Sequence, residues 1–336
     1  MNDETISVEA LTDAVVSTLV AAGAAPQVAA ALAQTHVSCE RDGALSHGIF
    51  RVPQYLQTLR TGYLDGRAEP QVEQVTSSFL RVDARDGVAQ FALQQATPAA
   101  LHAVAEQGVA VVAIRNSHHH SALWPDLEPF ARQGYVAISS VTGGVPYVAP
   151  FGARRAALST NPLAFAVPLP GDEPLVVDFA TSSMSHGDLT LAAKAGRSVP
   201  AGTGVDAEGR ETTDAEAIRE GGMLLPFGGH KGAALSMFVE LLASALTGGQ
   251  FSFETGQGKP EGAHTSRTGQ FLLLLDPERG NPHDFGGRTS QLIDMLRAAG
   301  VDRMPAEHRY RVRREALAHG IPMTPPIRDL LAALPQ

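Results

Sequence analysis

The texture of the chain changes near residue 79, and that change limits the folds open to it. Before it, apolar residues recur at helical spacing and each run stops at a glycine. Residues 8–22 end at Gly23. A second run opens at Pro26, continues to about residue 42 and ends at Gly43. A third covers about 53–61 and ends at Gly62. The first 65 residues are therefore expected to form a helical unit. From Phe79 onward the apolar runs are short, and 79–83, 109–114, 136–141, 163–167, 175–179 and 271–275 read as strands. Helical stretches are expected at 89–106, 123–132 and 232–246, with a return to helix from 286–299 nearly to the end. Residues 248–266 are Gly-rich and polar and read as a long loop, and 196–222 as a charged excursion over the surface.

None of these strands is followed by Gly-x-Gly-x-x-Gly opening a helix, so a Rossmann turn is not supported. Gly228-Gly229-His230-Lys231-Gly232 is not a P-loop either, because no Ser or Thr follows the lysine. A nucleotide bound here must use another architecture. With 336 residues, 44% of them hydrophobic and 18% charged, the chain can bury a large core, in more than one domain. Its net charge of −9 announces no basic face, so no nucleic-acid partner is expected. Cys39 is the only cysteine, which excludes an internal disulfide and a cysteine-rich metal site. It falls in the helical pattern 29–42, where a small buried hydrophobe is expected. The acidic start, Met1-Asn2-Asp3-Glu4-Thr5, lacks a signal-peptide shape, and no apolar run approaches the roughly 20 residues of a membrane helix. No membrane partner and a cytoplasmic location are therefore expected.

Four segments concentrate chemistry. In Ser46-His47-Gly48-Ile49-Phe50-Arg51, the four-residue spacing of His47 and Arg51 would set a proton donor beside a carboxylate clamp if the turn is helical. The same residues would also make a serine cap with a surface arginine. Asp188 follows Ser185-His186-Gly187 and reads either as a cap for a helix at 189–195 or as an acid that orients His47. The run Asn116-Ser117-His118-His119-His120 lacks the spacing of a metal site, since adjacent side chains diverge, and reads better as a loop against a cofactor. Pro226-Phe227-Gly228-Gly229-His230-Lys231-Gly232 leads into a helix whose start, with Lys231, would favour an anion; it could equally be a turn with a solvated lysine. Near the end Arg303, Arg309, Arg311, Arg313 and Arg314 cluster in an otherwise acidic chain, as a solvated face or as a clamp for a 2′-phosphate.

At these residues the chain resembles the malate/L-lactate dehydrogenase family of the second type, which is unrelated to the Rossmann lactate dehydrogenases. Ser46-His47-Gly48, Thr160-Asn161-Pro162, Asp178-Phe179-Ala180-Thr181-Ser182 and Gly228-Gly229-His230-Lys231-Gly232 fit the family in order, over about residues 8–315. Within it, Asn116-Ser117-His118-His119, Ala122-Leu123-Trp124-Pro125-Asp126, Ser185-His186-Gly187-Asp188, Pro226–Gly232 and Arg303-Met304-Pro305 with Arg309-Tyr310-Arg311 look most like the Δ1-piperideine-2-carboxylate/Δ1-pyrroline-2-carboxylate reductases. The resemblance implies an α+β fold with a helical domain built from residues 1–75 and 285–336 and a mainly antiparallel, non-Rossmann domain at 76–284 that binds NADPH. It implies a homodimer. It also implies Ser46, His47 and Asp188 as a relay with His47 as proton donor; no metal is expected, from the spacing of the histidines. Arg51, Thr160, His186 and Gly187 map to substrate positions. His119, His120, Ser121, Ala122, Leu123, Asp178, Phe179, Ala180, His230, Lys231, Arg303 and Arg309 map to cofactor positions. Two segments depart from the pattern: His120-Ser121, where many relatives carry Phe and a small residue, and Thr142-Gly143-Gly144, where relatives carry bulkier or amide residues.

The expected reaction is reduction of a cyclic imino acid, with NADPH as hydride donor, His47 protonating the nitrogen and Arg51 fixing the carboxylate. A dehydrogenase of a 2-hydroxy acid such as malate, lactate, ureidoglycolate or a sugar acid uses the same groups on a C=O bond. A nucleotide-binding regulator without turnover is the non-enzymatic alternative, and the joint presence of Ser46, His47, Arg51 and Asp188 argues against it. The Ala- and Val-rich faces of the first helices are hard to bury within a unit of this size; they could be covered by a second copy or equally by the sheet domain of the same chain.

Overall fold

Ser7 opens the first helix, accepting the N–H of Ala10 on its side-chain oxygen, and Val8–Ala21 follows. Proline at the first position starts the next, Pro26–Arg41. The two helices pack together before the chain reaches Val52–Arg60. The computed structural model describes residues 4–281 and 284–334. The acidic Met1-Asn2-Asp3 and the last two residues of the expected helical domain lie outside the described residues.

Every run read as a strand is one, in a single seven-stranded sheet. Its order is Gln71–Thr76, Phe79–Asp83, Val109–His118, Arg267–Leu275, Val136–Val141, Leu163–Val167 and Leu175–Phe179. Only the pairing of Phe79–Asp83 with Val109–His118 is parallel; the other neighbours run antiparallel. The Gln71–Thr76 strand was not visible in the sequence, since all six of its residues are exposed and no apolar face marks it. Two strands are longer than their apolar cores. Val109–His118 continues through Arg115 and Asn116, and Arg267–Leu275 begins four residues before Phe271, because the two pair across a bulge between Thr268 and Gln270. At that bulge a Cβ on Gly269 would lie 1.8 Å from the Ala243 carbonyl oxygen, so only glycine lets the strand pass beneath the π-helical turn Leu241–Leu246.

One core fills the space between this sheet and the helices Ala89–Gln107 and Trp124–Arg132, with Leu80, Val112, Ile114, Leu123, Leu127 and Leu272 buried in it. Cys39 is buried there as a small hydrophobe. A second core joins the N-terminal helices (Leu11, Val15, Leu19, Leu32, Tyr55) to Ala316, Ile321, Ile327 and Leu330 near the other end of the chain, and to Val88 and Phe91. The Ala- and Val-rich faces are thus buried within the chain, which removes them as a reason to expect an oligomer. Thr5–Ile6 pairs antiparallel with Ile321–Pro322, so the two ends are hydrogen-bonded to each other. Residues 196–222, read as a surface excursion, are mostly exposed, but two short strands within them, Gly204–Val205 and Glu211–Thr212, join Met223–Leu224 in a small sheet. With Val199, Ala215 and Ile218 they cover Leu189 of the helix His186–Lys194.

Candidate active site

A cleft of about 800 Å3 runs past the segment 44–51, the loop after the Val109–His118 strand and the start of helix His186–Lys194. Ser46, His47, Arg51, Thr160, His186, Gly187 and Asp188 all line it, as do His119, His120, Ser121, Ala122, Asp178, Phe179, Ala180 and Arg309. His230, Lys231 and Arg303 are exposed residues outside its lining. Residues distant in sequence thus share one cavity, with four of the expected cofactor residues, Leu123 among them, outside its lining.

The segment carrying His47 and Arg51 is not one helical turn. Gly48 divides it into two 3-10 turns, Leu45–His47 and Ile49–Arg51. The reason is the buried Glu40 carboxylate, whose Oε2 accepts the N–H of Ile49 at 2.9 Å and would lie 2.1 Å from a Cβ at position 48. Ser46 Oγ and His47 Nδ1 are hydrogen-bonded at 3.0 Å, and the His47 carbonyl accepts from Nδ1 of the buried His36 at 2.9 Å. Burial, followed by the charge of Arg51, pushes the His47 imidazole down to about 3, so it is neutral at working pH.

Arg51 is itself buried. Its Nε donates to the Ser46 carbonyl at 2.7 Å, and its Nη1 donates to Gln54 Oε1 at 3.2 Å and to His120 Nε2 at 2.8 Å. Nη2 makes no hydrogen bond among the described residues. It lies against Gly187, where a Cβ would approach to 2.5 Å. Glycine at 187 therefore keeps one edge of a buried cation open to the cleft, as an anion clamp requires. Burial lowers the Arg51 pKa to about 10, still leaving the group charged at neutral pH.

His186 stacks on Tyr147 with ring centroids 3.9 Å apart. Burial and then Arg51 lower its pKa to about 4, so it too is a neutral wall. Asp188 is neither the helix cap nor a partner of His47. Ser185 caps His186–Lys194, accepting the N–H of Asp188 at 3.0 Å and donating its hydroxyl to Asp188 Oδ2 at 2.7 Å. The expected Ser46–His47–Asp188 relay is thus hydrogen-bonded only at its first step, and the capping serine holds the third member. Thr160 meets the cleft beside Gly143, where a Cβ would lie 2.8 Å from Thr160 Oγ1 and 2.7 Å from Ser159 Oγ. Beneath them Asn161, buried and at φ 35, accepts the Gly143 N–H and donates to Ser236 and to the buried Glu240.

The three adjacent histidines diverge to three different partners. His118 bonds Thr265 and the Tyr63 carbonyl inside the core. His119 pairs with Asp126 at 2.9 Å, both side chains buried. His120 turns to Arg51, while its own backbone N–H is held by the Tyr55 hydroxyl at 2.9 Å. Mapped to the cofactor, His120 is found on the guanidinium that faces the substrate positions. The loop that follows is fixed from below, since Asp178 Oδ2 accepts the N–H groups of Leu123 and Trp124 at 2.8 and 3.0 Å. Leu123 thus contributes its backbone, and its side chain belongs to the core.

The basic cluster separates into unlike parts. Arg313 pairs with Asp42 and Glu128, and Arg311 with Glu315. Arg309 makes no ion pair among the described residues; it donates to the Val176 carbonyl at 3.1 Å and lies 4.9 Å over the Trp124 ring, keeping its charge at the cleft wall. Tyr147, Tyr55 and Gln54 contribute to the site and were not singled out in the sequence. Gln54 lay within reach of inference, three residues after Arg51; Tyr147 sits in irregular chain where no pattern marks it.

The family model for malate/L-lactate dehydrogenase matches residues 6–332. A Δ1-pyrroline-2-carboxylate/Δ1-piperideine-2-carboxylate reductase of Pseudomonas syringae pv. tomato is 49% identical over 318 residues, 95% of this chain and 92% of that one. The crystal structure of a Δ1-piperideine-2-carboxylate reductase from the same organism superposes with a TM-score of 0.95 at 48% identity, covering 99% of this chain and 100% of the other. A (2R)-3-sulfolactate dehydrogenase (NADP(+)) of Chromohalobacter salexigens is 38% identical over 301 residues, 89% of each chain.

Proposed function

The chain belongs to the malate/L-lactate dehydrogenase family, and from that premise we propose that it is an NADPH-dependent reductase of cyclic imino acids. It converts Δ1-piperideine-2-carboxylate or Δ1-pyrroline-2-carboxylate to L-pipecolate or L-proline. The observation that carries this reading is the open Nη2 edge of the buried Arg51, in one cleft with His47 and the neutral His186. A compact carboxylate satisfies that edge, and the apolar ring faces Tyr147 and His186. The names of the relatives at about half identity agree with it.

Bound nicotinamide nucleotide supplies a hydride to the imine carbon. Arg309 fits such a ligand, because a cleft-wall guanidinium with no ion pair among the described residues keeps donors for a phosphate. The exposed Arg303, His230 and Lys231 are assigned to the same ligand beyond the cleft. Arg51 holds the substrate carboxylate and thereby fixes the ring nitrogen. With Nδ1 of His47 engaged by Ser46, Nε2 is the nitrogen left to deliver the proton. A neutral imidazole must first be charged. The substrate carboxylate favours this by cancelling the Arg51 charge that depresses His47. Asp188 acts on this pair through its field at Arg51.

Purified protein is expected to oxidise NADPH when given either imine, and the absence of oxidation with both would refute the reading. His47→Asn should lower kcat by about 10²–10⁴, the usual worth of a positioned general acid. Reduction of 2-oxo acids is the second reading, favoured by the relative named for sulfolactate. Rates on a cyclic imine and on a panel of 2-oxo acids separate the two.

The active form is proposed to be a homodimer in the cytoplasm. Its support is an apolar stripe on the helix His230–Glu240 and the turn after it, where Met237, Phe238 and Leu241 are about half exposed. The division into a helical domain at 1–75 with 285–336 and a cofactor domain at 76–284 is part of the same proposal, and the second core, shared by both chain ends, supports it. Light scattering that gave a monomer at assay concentration would overturn the dimer.

A further inference from the structure

Arg51 fixes the tautomer of His120. A guanidinium only donates, so the Nε2 that it meets at 2.8 Å must offer a lone pair, and in neutral His120 the hydrogen must sit on Nδ1. His120 is neutral at working pH, since burial and then the charge of Arg51 hold its pKa well below the ordinary value. The ring is held at Nε2 by Arg51, and the backbone that carries it is fixed by the Tyr55 hydroxyl, which accepts its N–H at 2.9 Å. Nδ1 is bonded to nothing among the described residues, yet it is not among their buried unsatisfied atoms. The surface from which it is reached is the cleft that His120 lines.

Arg51, by contrast, has few donors left. Nε is taken by the Ser46 carbonyl and Nη1 by Gln54 and His120. Only Nη2 remains, at Gly187. A carboxylate has two oxygens and binds best with a donor on each. One open nitrogen of Arg51 serves one oxygen well and leaves the other needing a donor nearby.

We propose that His120 is that donor: a substrate-contacting residue whose Nδ1–H takes one carboxylate oxygen while Arg51 Nη2 takes the other. The inference rests on the reading of this cleft as the site of a small anionic substrate. It moves His120 from the cofactor to the substrate and makes it a determinant of which acids the cleft accepts. Substrates with a planar carboxylate are favoured over neutral amides of the same ring, which carry only one acceptor oxygen.

Two near-isosteric replacements divide the possible roles. In His120→Asn the amide nitrogen can stand where Nδ1 stood, and in His120→Gln the amide oxygen can stand where Nε2 stood. His120→Phe removes both. If His120 contacts substrate, His120→Phe raises the KM for the imino acid about tenfold to a hundredfold, the loss expected for a hydrogen bond to a charged group. Its kcat changes less than threefold and its KM for NADPH stays unchanged. Asn recovers most of the loss and Gln does not. Recovery by Gln alone would overturn the proposal, showing that His120 only steadies Arg51. A rise in the KM for NADPH with no change for the imine would overturn it too, returning His120 to the cofactor. Wild-type protein inactive on both imines and on 2-oxo acids would instead refute the underlying function. Should the variants not fold, 15N spectra of the wild-type imidazoles decide: His120 is expected as the Nδ1–H tautomer, its Nδ1 signal shifting when L-proline is added. An Nε2–H tautomer would overturn the proposal.

Discussion

Single residues in this cleft act largely by what they leave out. Gly187 withholds a Cβ from Arg51 and Gly143 withholds one from Thr160. Gly187→Ala should therefore raise the KM for the imino acid at least tenfold without altering that for NADPH, which steady-state kinetics with each substrate varied in turn will test. Gly23→Ala, in open space but at φ 102, should affect only stability. Arg309 and Arg303 differ in the same local way. Arg309 lies at the cleft wall with no ion pair among the described residues, and Arg303 lies exposed outside it. Arg309→Ala should weaken NADPH about ten- to hundredfold, well beyond its effect on NADH, and Arg303→Ala should do less. Equal losses for both nucleotides would make Arg309 a ligand of their shared part. At this scale the sequence revealed which residues gather, through motif likeness, but not what each touches. Asp188 on Ser185 is a local contact that the Ser-x-x-Asp spacing carries, but His120 on Arg51 depends on backbone positions set by Gly48, Glu40 and Tyr55, which no spacing encodes.

Elements were legible wherever one face is apolar. The six expected strands stand where short apolar runs put them and the long helices where helical spacing did, because burial leaves such runs or a repeat of 3.6 in the sequence. The exposed strand Gln71–Thr76 and the small sheet in residues 204–224 left no such mark. Between elements, the decisive contact was hidden inside an apparent basic cluster. Arg313, on the helix Glu307–His319, bridges Asp42 at the end of Pro26–Arg41 and Glu128 on Trp124–Arg132, at 2.5 Å to each. Both acids are buried, and Arg132 also supports Glu128. Removing the arginine strands these charges, so Arg313→Ala should cost about 3–5 kcal/mol in urea unfolding, as for a broken buried pair. A loss below about 1 kcal/mol would mean that Arg41 and Arg132 suffice for the two carboxylates.

For the whole molecule, buried histidines set an acid limit. His118 donates Nε2–H to the Tyr63 carbonyl, accepts from Thr265 at Nδ1, and titrates at about 3. His36, its Nδ1 on the His47 carbonyl, titrates at about 4. Both values lie below the ordinary 6.5 because burial disfavours the charged ring. Below pH 6.5 the unfolded chain binds protons that the folded chain refuses, so stability is full above that pH and falls as pH drops toward 4 and 3. Each such group contributes about 1.4 kcal/mol per pH unit in this window. His118→Gln, whatever its cost at pH 7.5, should flatten the slope between pH 6 and 4 by about that amount; parallel curves would show that His118 gains its proton in the folded state. The clasp between the chain ends carries a consequence for synthesis. Thr324 donates to Oε1 of Glu40, whose other oxygen holds Ile49, and Ile321, Ile327 and Leu330 complete the core beneath that loop. As the chain emerges N-terminus first, the segment bearing His47 and Arg51 has no finished floor until Leu330 has been added. Closure of this long loop comes late, and a ribosome stalled between residues 275 and 321 holds a chain whose seven sheet strands are already translated but whose segment 46–51 is unsupported.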